Sequence, residues 1–199
     1  MRKLKHSVGR VACARRNTRS TVSRGITPMS FPNRKHPRLK QYDYRSAGAY
    51  FVTICCANFA SFLGEIEGDP PENRLSDYGK AVAAEIRTFD KRYPYLTISN
   101  FTVMPNHLHL LMEMHDNTPI DDRVSVPQLV GMIKSLTTRA CKKIGFTGER
   151  LYQASFHEHV IRSEQDYQRI WEYIEYNPSK WTDDRYYTRR AQATRPTGR

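Results

Sequence analysis

Runs of apolar residues along the chain predict four strands. Each run is rich in β-branched, aromatic and aliphatic side chains, which is typical of strands in a buried sheet. Only Pro105 and Asn106 separate the second run from the third, so these two runs should form an antiparallel hairpin. The four predicted strands are Ala49–Cys56, Thr97–Met104, His107–Met114 and Phe156–Ile161.

Three other segments repeat apolar residues at helical spacing. Each begins with a serine, at 76, 125 or 163, whose side chain can accept a hydrogen bond from an amide of the first helical turn. Pro94 ends the first helix, and the pair Asn177-Pro178 ends the third. A stretch rich in Pro, Gly and Asn, 68–74, precedes the first helix and is predicted to be a loop.

The order of these elements predicts an α+β fold. Strand, helix, strand, strand, helix, strand is the βαββαβ pattern of a ferredoxin-like antiparallel sheet, and here an additional C-terminal helix follows it. Because this fold has many functions, the fold by itself assigns none.

Positive charge is concentrated at the two ends of the chain. The whole sequence has 32 Lys and Arg against 20 Asp and Glu, a net charge of +12. Residues 1–40 contain 12 Lys and Arg and no acid, residues 185–199 contain five Arg and no acid, and 41–184 contain 15 bases and 20 acids. We therefore expect a mostly disordered basic arm over 1–40, a folded domain over 41–184 and a flexible basic tail over 185–199.

Several protein classes are excluded by what the sequence lacks. No apolar run is long enough for a membrane helix or for the core of a secretory signal peptide. The four cysteines form no CxxC pair, which argues against a disulfide framework or a structural zinc site and fits a cytoplasmic location. No glycine-rich nucleotide motif is present.

The sharpest chemical signal is the triplet His107-Leu108-His109 in the third predicted strand. Residues two apart on a strand point to the same face, so both imidazoles can converge on one metal ion. The alternative is that both histidines are partly exposed and make only structural hydrogen bonds. His157 and His159 have the same spacing, but the charged residue between them indicates an edge strand, so this pair ranks second, as a neighbour of the site.

The third helix carries a second group of candidates. An apolar stripe should pack on the sheet, formed by Tyr167, Ile170, Trp171 and Ile174. Tyr173 and Asn177 are one turn apart on one flank of the stripe, so they can present a hydroxyl and an amide oxygen to one point. Tyr176 points away from the stripe. The alternative is that Tyr173 is an ordinary interface residue.

Basic residues supply candidates for nucleic-acid contact. Lys134 and Arg139 on the second helix can line a phosphate groove, although a solvated helix face is the alternative; Arg38 and Lys40 at the end of the arm are further candidates. After the third helix, rings and cations alternate. That composition suits stacking on single-stranded bases, but a flexible basic tail fits it equally well. These residues are Trp181, Arg185, Tyr186, Tyr187, Arg189 and Arg190.

Three segments together resemble a known family. YFVTICC, MPNHLHLLM and WEYIEYNPSKW are similar to segments of the HUH superfamily of tyrosine transposases, and more closely of its IS200-like, REP-associated members; the resemblance extends from Tyr42 to Tyr187. It implies a ferredoxin-like domain in which His107, His109 and Asn177 bind Mg²⁺ or Mn²⁺ and Tyr173 is the nucleophile.

The resemblance also implies a reaction, namely cleavage and transfer of single-stranded or hairpin DNA through a 5′-phosphotyrosine intermediate. A non-catalytic or domesticated DNA-binding protein of the same fold is the main alternative. A metal-dependent hydrolase that uses water as the nucleophile is another. The REP-associated type is expected to act as a monomer, and we favour a monomer over a homodimer.

Overall fold

A four-stranded antiparallel sheet forms the centre of the structure, which is a computed structural model describing residue 39 and residues 41–187. The predicted basic arm therefore lies outside the described residues, apart from Leu39. In chain order the elements are β1 (Gly48–Cys55), β2 (Gly64–Glu67), β3 (Glu72–Leu75), α1 (Asp77–Phe89), β4 (Leu96–Met104), β5 (His107–Met114), α2 (Val126–Lys143), β6 (His157–Ile161) and α3 (Glu164–Tyr176).

The central sheet has the order β4-β5-β1-β6, and every pair of neighbouring strands is antiparallel. Helix α1 connects β1 to β4, and α2 connects β5 to β6. With α3 as the additional helix, this arrangement confirms the predicted ferredoxin-like βαββαβ fold. Strand β5 lies between two other strands, whereas β6 is an edge strand, as the charged residue between His157 and His159 indicated.

The larger hydrophobic core lies between the sheet and helices α1 and α2. Alternate residues of β1 and β5 point into it because successive side chains of a strand face opposite sides of the sheet. The helices close this core with the apolar faces that their spacing predicted. Its fully buried members include Tyr50, Val52, Ile54, Leu108, Leu110, Met112, Val82, Ile86, Leu129 and Ile133.

A smaller core lies on the other face, under α3. Ile170 and Ile174 of α3 pack against Phe51 of β1 and Leu111 of β5. This confirms that α3 packs on the sheet, with one correction to the predicted stripe, since Trp171 remains 36% exposed at its margin. The indole instead stacks on the half-buried Tyr167, with ring centroids 6.2 Å apart.

The hairpin formed by β2 and β3 was not predicted. The prediction placed a loop at 68–74, but β3 begins at Glu72. Both strands are only four residues long and half exposed, so they lack the apolar run that identifies a buried strand. Asn73 Nδ2 donates a hydrogen bond to Val103 O at 2.7 Å, which fastens the hairpin to the edge of the central sheet.

The helices begin at the predicted serines. Ser76 Oγ accepts a hydrogen bond from Gly79 N at 3.1 Å, and Ser163 Oγ accepts one from Asp166 N at 3.2 Å. At the third site, Ser125 N donates to Gln128 Oε1 at 3.1 Å. These bonds satisfy amide groups that a helix start leaves unpaired. No helix in the described part of the chain is both long and apolar enough to cross a membrane.

Candidate metal and nucleophile site

Two imidazoles lie side by side in the centre of the sheet. His107 and His109 are alternate residues of β5 and point to the face covered by α3, as their spacing predicted. They are 0% and 1% exposed, and their Nε2 atoms are 2.9 Å apart. Because β5 is flanked by β1 and β4, the backbone that carries this nitrogen pair is rigid.

Asn106 fixes the proton on His107. Its Nδ2 donates a hydrogen bond to Tyr186 O at 3.2 Å, which orients the amide so that Oδ1, 2.8 Å from His107 Nδ1, accepts. His107 therefore carries its proton on Nδ1, and the lone pair on Nε2 points toward His109. Outer hydrogen bonds of this kind orient histidines that bind metals.

Thr53 plays the corresponding part for His109. Its hydroxyl is 2.9 Å from His109 Nδ1 and can either donate or accept. When it accepts, the lone pairs of both Nε2 atoms point into one space and suit a cation. When it donates, His109 can place its proton between the two rings. The pair can thus share either a cation or a proton.

Burial keeps both imidazoles neutral. It lowers the pKa of His107 to about 3, and the positive charge of Arg185 adds to this effect. Burial also holds the pKa of His109 well below its ordinary value, with a further lowering by His107 and an opposing influence from Asp184. Neutral imidazole is the form that binds metal ions.

Helix α3 brings the predicted tyrosine to this pair, and the predicted asparagine directly follows the helix. The hydroxyl of Tyr173 is 3.4 Å from His109 Nε2. Asn177 is 3% exposed, and its Oδ1 has no hydrogen-bond partner among the described residues. Tyr176 is 52% exposed, in agreement with its predicted position on the outer side of the helix.

Asp184 completes the site and was not predicted. Its Oδ2 accepts hydrogen bonds from Tyr173 Oη at 3.1 Å and Asn177 Nδ2 at 3.0 Å, and its Oδ1 accepts one from Tyr186 N at 2.6 Å. One ligand atom from each of His107, His109 and Asp184 lies within 4.8 Å of the others. Oxygen and imidazole ligands together suit a divalent cation.

The tyrosine is held in its protonated form. Burial is the largest cause that raises the pKa of Tyr173, and the negative charge of Asp184, together with its hydrogen bond, raises it further. Tyr173 also makes an edge-to-face contact with Phe51, with ring centroids 5.9 Å apart. The phenol is therefore positioned in advance, but it needs a cation or a proton acceptor before it can act as a nucleophile.

The first residues of the predicted flexible tail belong to this site, which corrects that prediction for 185–187. Tyr186 is 2% exposed, and its ring centroid is 4.5 Å from that of His107. It shares a small core with Trp181, Met104 and Cys55. Burial of these aromatic rings holds the segment against the sheet. Residues 188–199 lie outside the described part of the chain.

The structure does not bring the predicted DNA-contact residues to the histidine pair. Lys134 Nζ donates hydrogen bonds to three backbone carbonyls, and Arg139 is exposed on the same helix, α2, on the opposite face of the sheet. Arg38 and Lys40 lie outside the described residues. These four contacts remain predictions. The carbonyls bound by Lys134 belong to Gln153, Ala154 and Ser155.

His159, the second-ranked candidate, contacts the opposite end of α3. Its Nε2 is 2.6 Å from Asp166 Oδ2, and Asp166 Oδ1 accepts from Arg169 Nη2 at 2.6 Å. These contacts join β6 to the first turn of α3. His159 therefore helps to hold the helix that carries Tyr173, rather than joining the histidine pair.

The fold is also found in solved structures. A REP-associated tyrosine transposase bound to a REP hairpin superposes with a TM-score of 0.53 and 21% sequence identity, covering 72% of this chain and 73% of that one. A Haemophilus influenzae protein provisionally described as a REP-associated tyrosine transposase is 26% identical over 147 residues, 69% of this chain and 74% of that protein. These similarities confirm the resemblance found in the motifs: the chain is similar to REP-associated tyrosine transposases.

A nearer relative fixes the family. The chain is 34% identical over 172 residues to another Haemophilus influenzae protein, which is uncharacterised, and the match covers 78% of this chain and 93% of that protein. The chain belongs to the same family as this protein. No protein-family model matches the chain.

Proposed function

We propose that the protein is a metal-dependent transposase that cleaves and rejoins single-stranded or hairpin DNA through Tyr173. The observation that carries this proposal is the position of the Tyr173 hydroxyl, 3.4 Å from His109 Nε2 and beside the buried histidine pair. Support also comes from the similar REP-associated transposases, one of which is bound to a REP hairpin. We therefore propose hairpin DNA as the substrate and a monomer in the cytoplasm as the working form.

The residues present fit a divalent cation. His107 and His109 supply two neutral nitrogen ligands, and the buried Oδ1 of Asn177, which has no partner in the described part of the chain, is suited to be a third. A carboxylate oxygen of Asp184 is the alternative third ligand. Mg²⁺ or Mn²⁺ bound there would withdraw charge from a phosphodiester and favour ionisation of the phenol.

Side chains of the protein position the nucleophile for attack on the phosphodiester. Phe51 and Ile174 hold the Tyr173 ring, so that Oη faces the space beside the histidines. Oη forms a bond to phosphorus while the bond from phosphorus to the 3′ oxygen breaks. Asp184 Oδ2 holds the phenol hydrogen in a hydrogen bond before attack. The phenol gives up its proton as the bond to phosphorus forms, and the departing 3′ oxygen takes up one proton to become a free 3′-OH, so the protons balance.

This chemistry conserves the phosphodiester energy. The phosphotyrosine ester replaces one phosphate ester by another, so a 3′-OH can reverse the reaction and rejoin strands without a nucleotide cofactor. The buried position of the site protects the ester from water. Transposition requires such a reversible step.

A covalent-capture experiment tests the proposal. Full-length protein is incubated with Mn²⁺ and a 3′-labelled hairpin oligonucleotide whose single-stranded flank is randomised, and denaturing gels reveal labelled protein. We expect an adduct with the wild type and with Tyr176→Phe, which changes an exposed tyrosine of the same helix, and none with Tyr173→Phe. An adduct with Tyr173→Phe, or none with the wild type, would contradict the mechanism.

The same experiment separates the alternatives. A hydrolase that uses water would cut the DNA without an adduct and would tolerate Tyr173→Phe. A protein that only binds DNA would leave the hairpin intact on the denaturing gel and would shift it on a native gel.

A further inference from the structure

Arg185 lies at the margin of the histidine site. Its guanidinium carbon is 4.7 Å from the ring centroid of Tyr186, and Nη2 donates a hydrogen bond to the Tyr186 hydroxyl at 2.7 Å. The Tyr186 ring is buried and contacts His107. Arg185 itself is exposed. A buried ring thus supports an exposed cation at the margin of the histidine site.

The charge of Arg185 acts on the whole site. After burial, which has the largest influence, it lowers the pKa of His107 and contributes to the lowering at His109. At Tyr173, where burial and Asp184 raise the pKa, Arg185 opposes the rise. Arg185 is therefore within electrostatic reach of both imidazoles and of the phenol.

An anionic substrate needs such a cation here. Asp184 contributes a carboxylate inside the site, and the half of α3 that carries Tyr173 exposes Glu172 and Glu175. These negative charges repel the phosphates of a DNA strand that approaches the site.

We propose that Arg185 binds a backbone phosphate of the DNA strand that enters the histidine site. This inference rests on the proposed function, and it assigns a specific contact to a residue that the sequence placed in a flexible tail. A guanidinium matches two oxygens of one phosphate through parallel hydrogen bonds. Support by the Tyr186 ring reduces the entropy lost on binding. The ligand recognised is the phosphate rather than a base, so the contact does not depend on the DNA sequence.

Binding measurements in the absence of cleavage test this contact. In full-length protein carrying Tyr173→Phe, the affinity for a fluorescent hairpin oligonucleotide is measured with Mn²⁺ over a range of salt concentrations. We expect Arg185→Gln to weaken binding about tenfold, in keeping with a lost hydrogen bond to a charged group. The slope of log K against log salt should fall by about 0.7, the value for one contact to single-stranded DNA.

Two variants serve as controls. Lys180→Gln removes another exposed cation five residues earlier and should change affinity less than twofold. Arg185→Lys keeps the charge but not the two-pronged geometry, so it should fall between wild type and Arg185→Gln. Equal losses for Arg185→Gln and Lys180→Gln, or no loss for Arg185→Gln, would overturn the proposal. Near-ultraviolet circular dichroism checks that Tyr186 keeps its packing in each variant. If that packing is lost and Arg185→Lys binds DNA as weakly as Arg185→Gln, the role of Arg185 is structural and the proposal is overturned.

A scan of single methylphosphonate linkages then locates the phosphate. At one linkage the uncharged substitution should abolish the difference in DNA affinity between the protein that retains Arg185 and the Arg185→Gln protein. A difference that persists at every linkage would refute the contact. If one linkage abolishes the difference but wild-type protein forms no adduct, the phosphate contact stands and the proposed transposase chemistry fails.

Discussion

The Tyr173 hydroxyl donates a hydrogen bond to Asp184 Oδ2 at 3.1 Å, across a turn that reverses the chain after α3. The same oxygen accepts from Asn177 Nδ2 at 3.0 Å. One carboxylate therefore connects the candidate nucleophile to a candidate ligand. It also raises the pKa of Tyr173, second to burial, so Asp184 restrains the phenol as well as positioning it.

Replacing Asp184 tests its part in metal binding. We expect Asp184→Asn to weaken Mn²⁺ binding by at least about 10- to 100-fold, the range typical of losing a group that orients the ligands of a metal. Titration calorimetry measures this without DNA. Asp183→Asn is the matched control, since Asp183 is exposed and adjacent in sequence, and it should bind Mn²⁺ as the wild type does. Unchanged binding by Asp184→Asn would leave Asn177 as the third ligand.

The complementary variant is Asn177→Ala. It removes the buried Oδ1, for which the described residues offer no partner, and should also weaken Mn²⁺ binding if that oxygen is a ligand. Asn177→Asp supplies an oxygen in the same place but loses the Nδ2 group that donates to Asp184 Oδ2, so it should restore only part of the affinity. Unchanged Mn²⁺ binding by Asn177→Ala would contradict a ligand role for this oxygen.

Thr53 should act through His109. We expect Thr53→Val, which keeps the side-chain shape and removes the hydroxyl, to weaken Mn²⁺ binding about tenfold because His109 Nδ1 loses the partner that orients its ring. Thr53→Ser retains the hydroxyl and should remain within about twofold of wild type. Equal affinities for Thr53→Val and wild-type protein would contradict this role.

Local periodicity explains how much of the site could be predicted. The alternation of β5 placed His107 and His109 on one face, and the helical period placed Tyr173 and Asn177 on one flank of α3. Both predictions needed only the geometry of a single element, which repeats regularly. The apolar runs predicted the strands of the sheet, and the apolar residues at helical spacing predicted α1 and α2 behind it.

Asp184 could not be found in this way, because its contacts depend on the turn that follows α3. Pro178–Asp183 forms a 3₁₀ helix that returns the chain to the site, and no local pattern distinguishes Asp184 from Asp183 before that turn is known. The predicted start of the flexible tail at residue 185 was wrong for a related reason. The basic composition of the tail indicated flexibility, but the Tyr186 ring is buried beside Trp181, Met104 and Cys55, which no local pattern predicts.

The buried histidines predict how stability depends on pH. The folded-state pKa of His107 is about 3, against an ordinary 6.5, so between these values the unfolded chain binds a proton that the folded chain does not. The free energy of unfolding of the metal-free protein should therefore fall as pH falls below 6.5, by about 1.4 kcal/mol per pH unit for each buried imidazole. His109 shifts in the same direction.

Urea unfolding between pH 7.5 and 5 in the presence of EDTA measures this slope. The double variant His107→Gln/His109→Gln should flatten it, because the titrating groups are gone. Mn²⁺ should raise stability most at high pH, where protons do not compete for the ligands. A slope that is the same in the wild type and the double variant would contradict buried, neutral imidazoles.

Deleting residues 1–40 should weaken DNA binding, because this segment carries 12 Lys and Arg while 41–184 has more acids than bases. The dependence of affinity on salt should flatten, since fewer counterions are released from the DNA. Anisotropy titrations at several salt concentrations measure both effects, and a full-length variant with these 12 cations changed to Gln should match the deletion. At saturating DNA, adduct formation should persist, because the deletion leaves His107, His109, Tyr173 and Asp184 in place. Equal affinity of truncated and full-length protein at low salt would refute the electrostatic role of this segment.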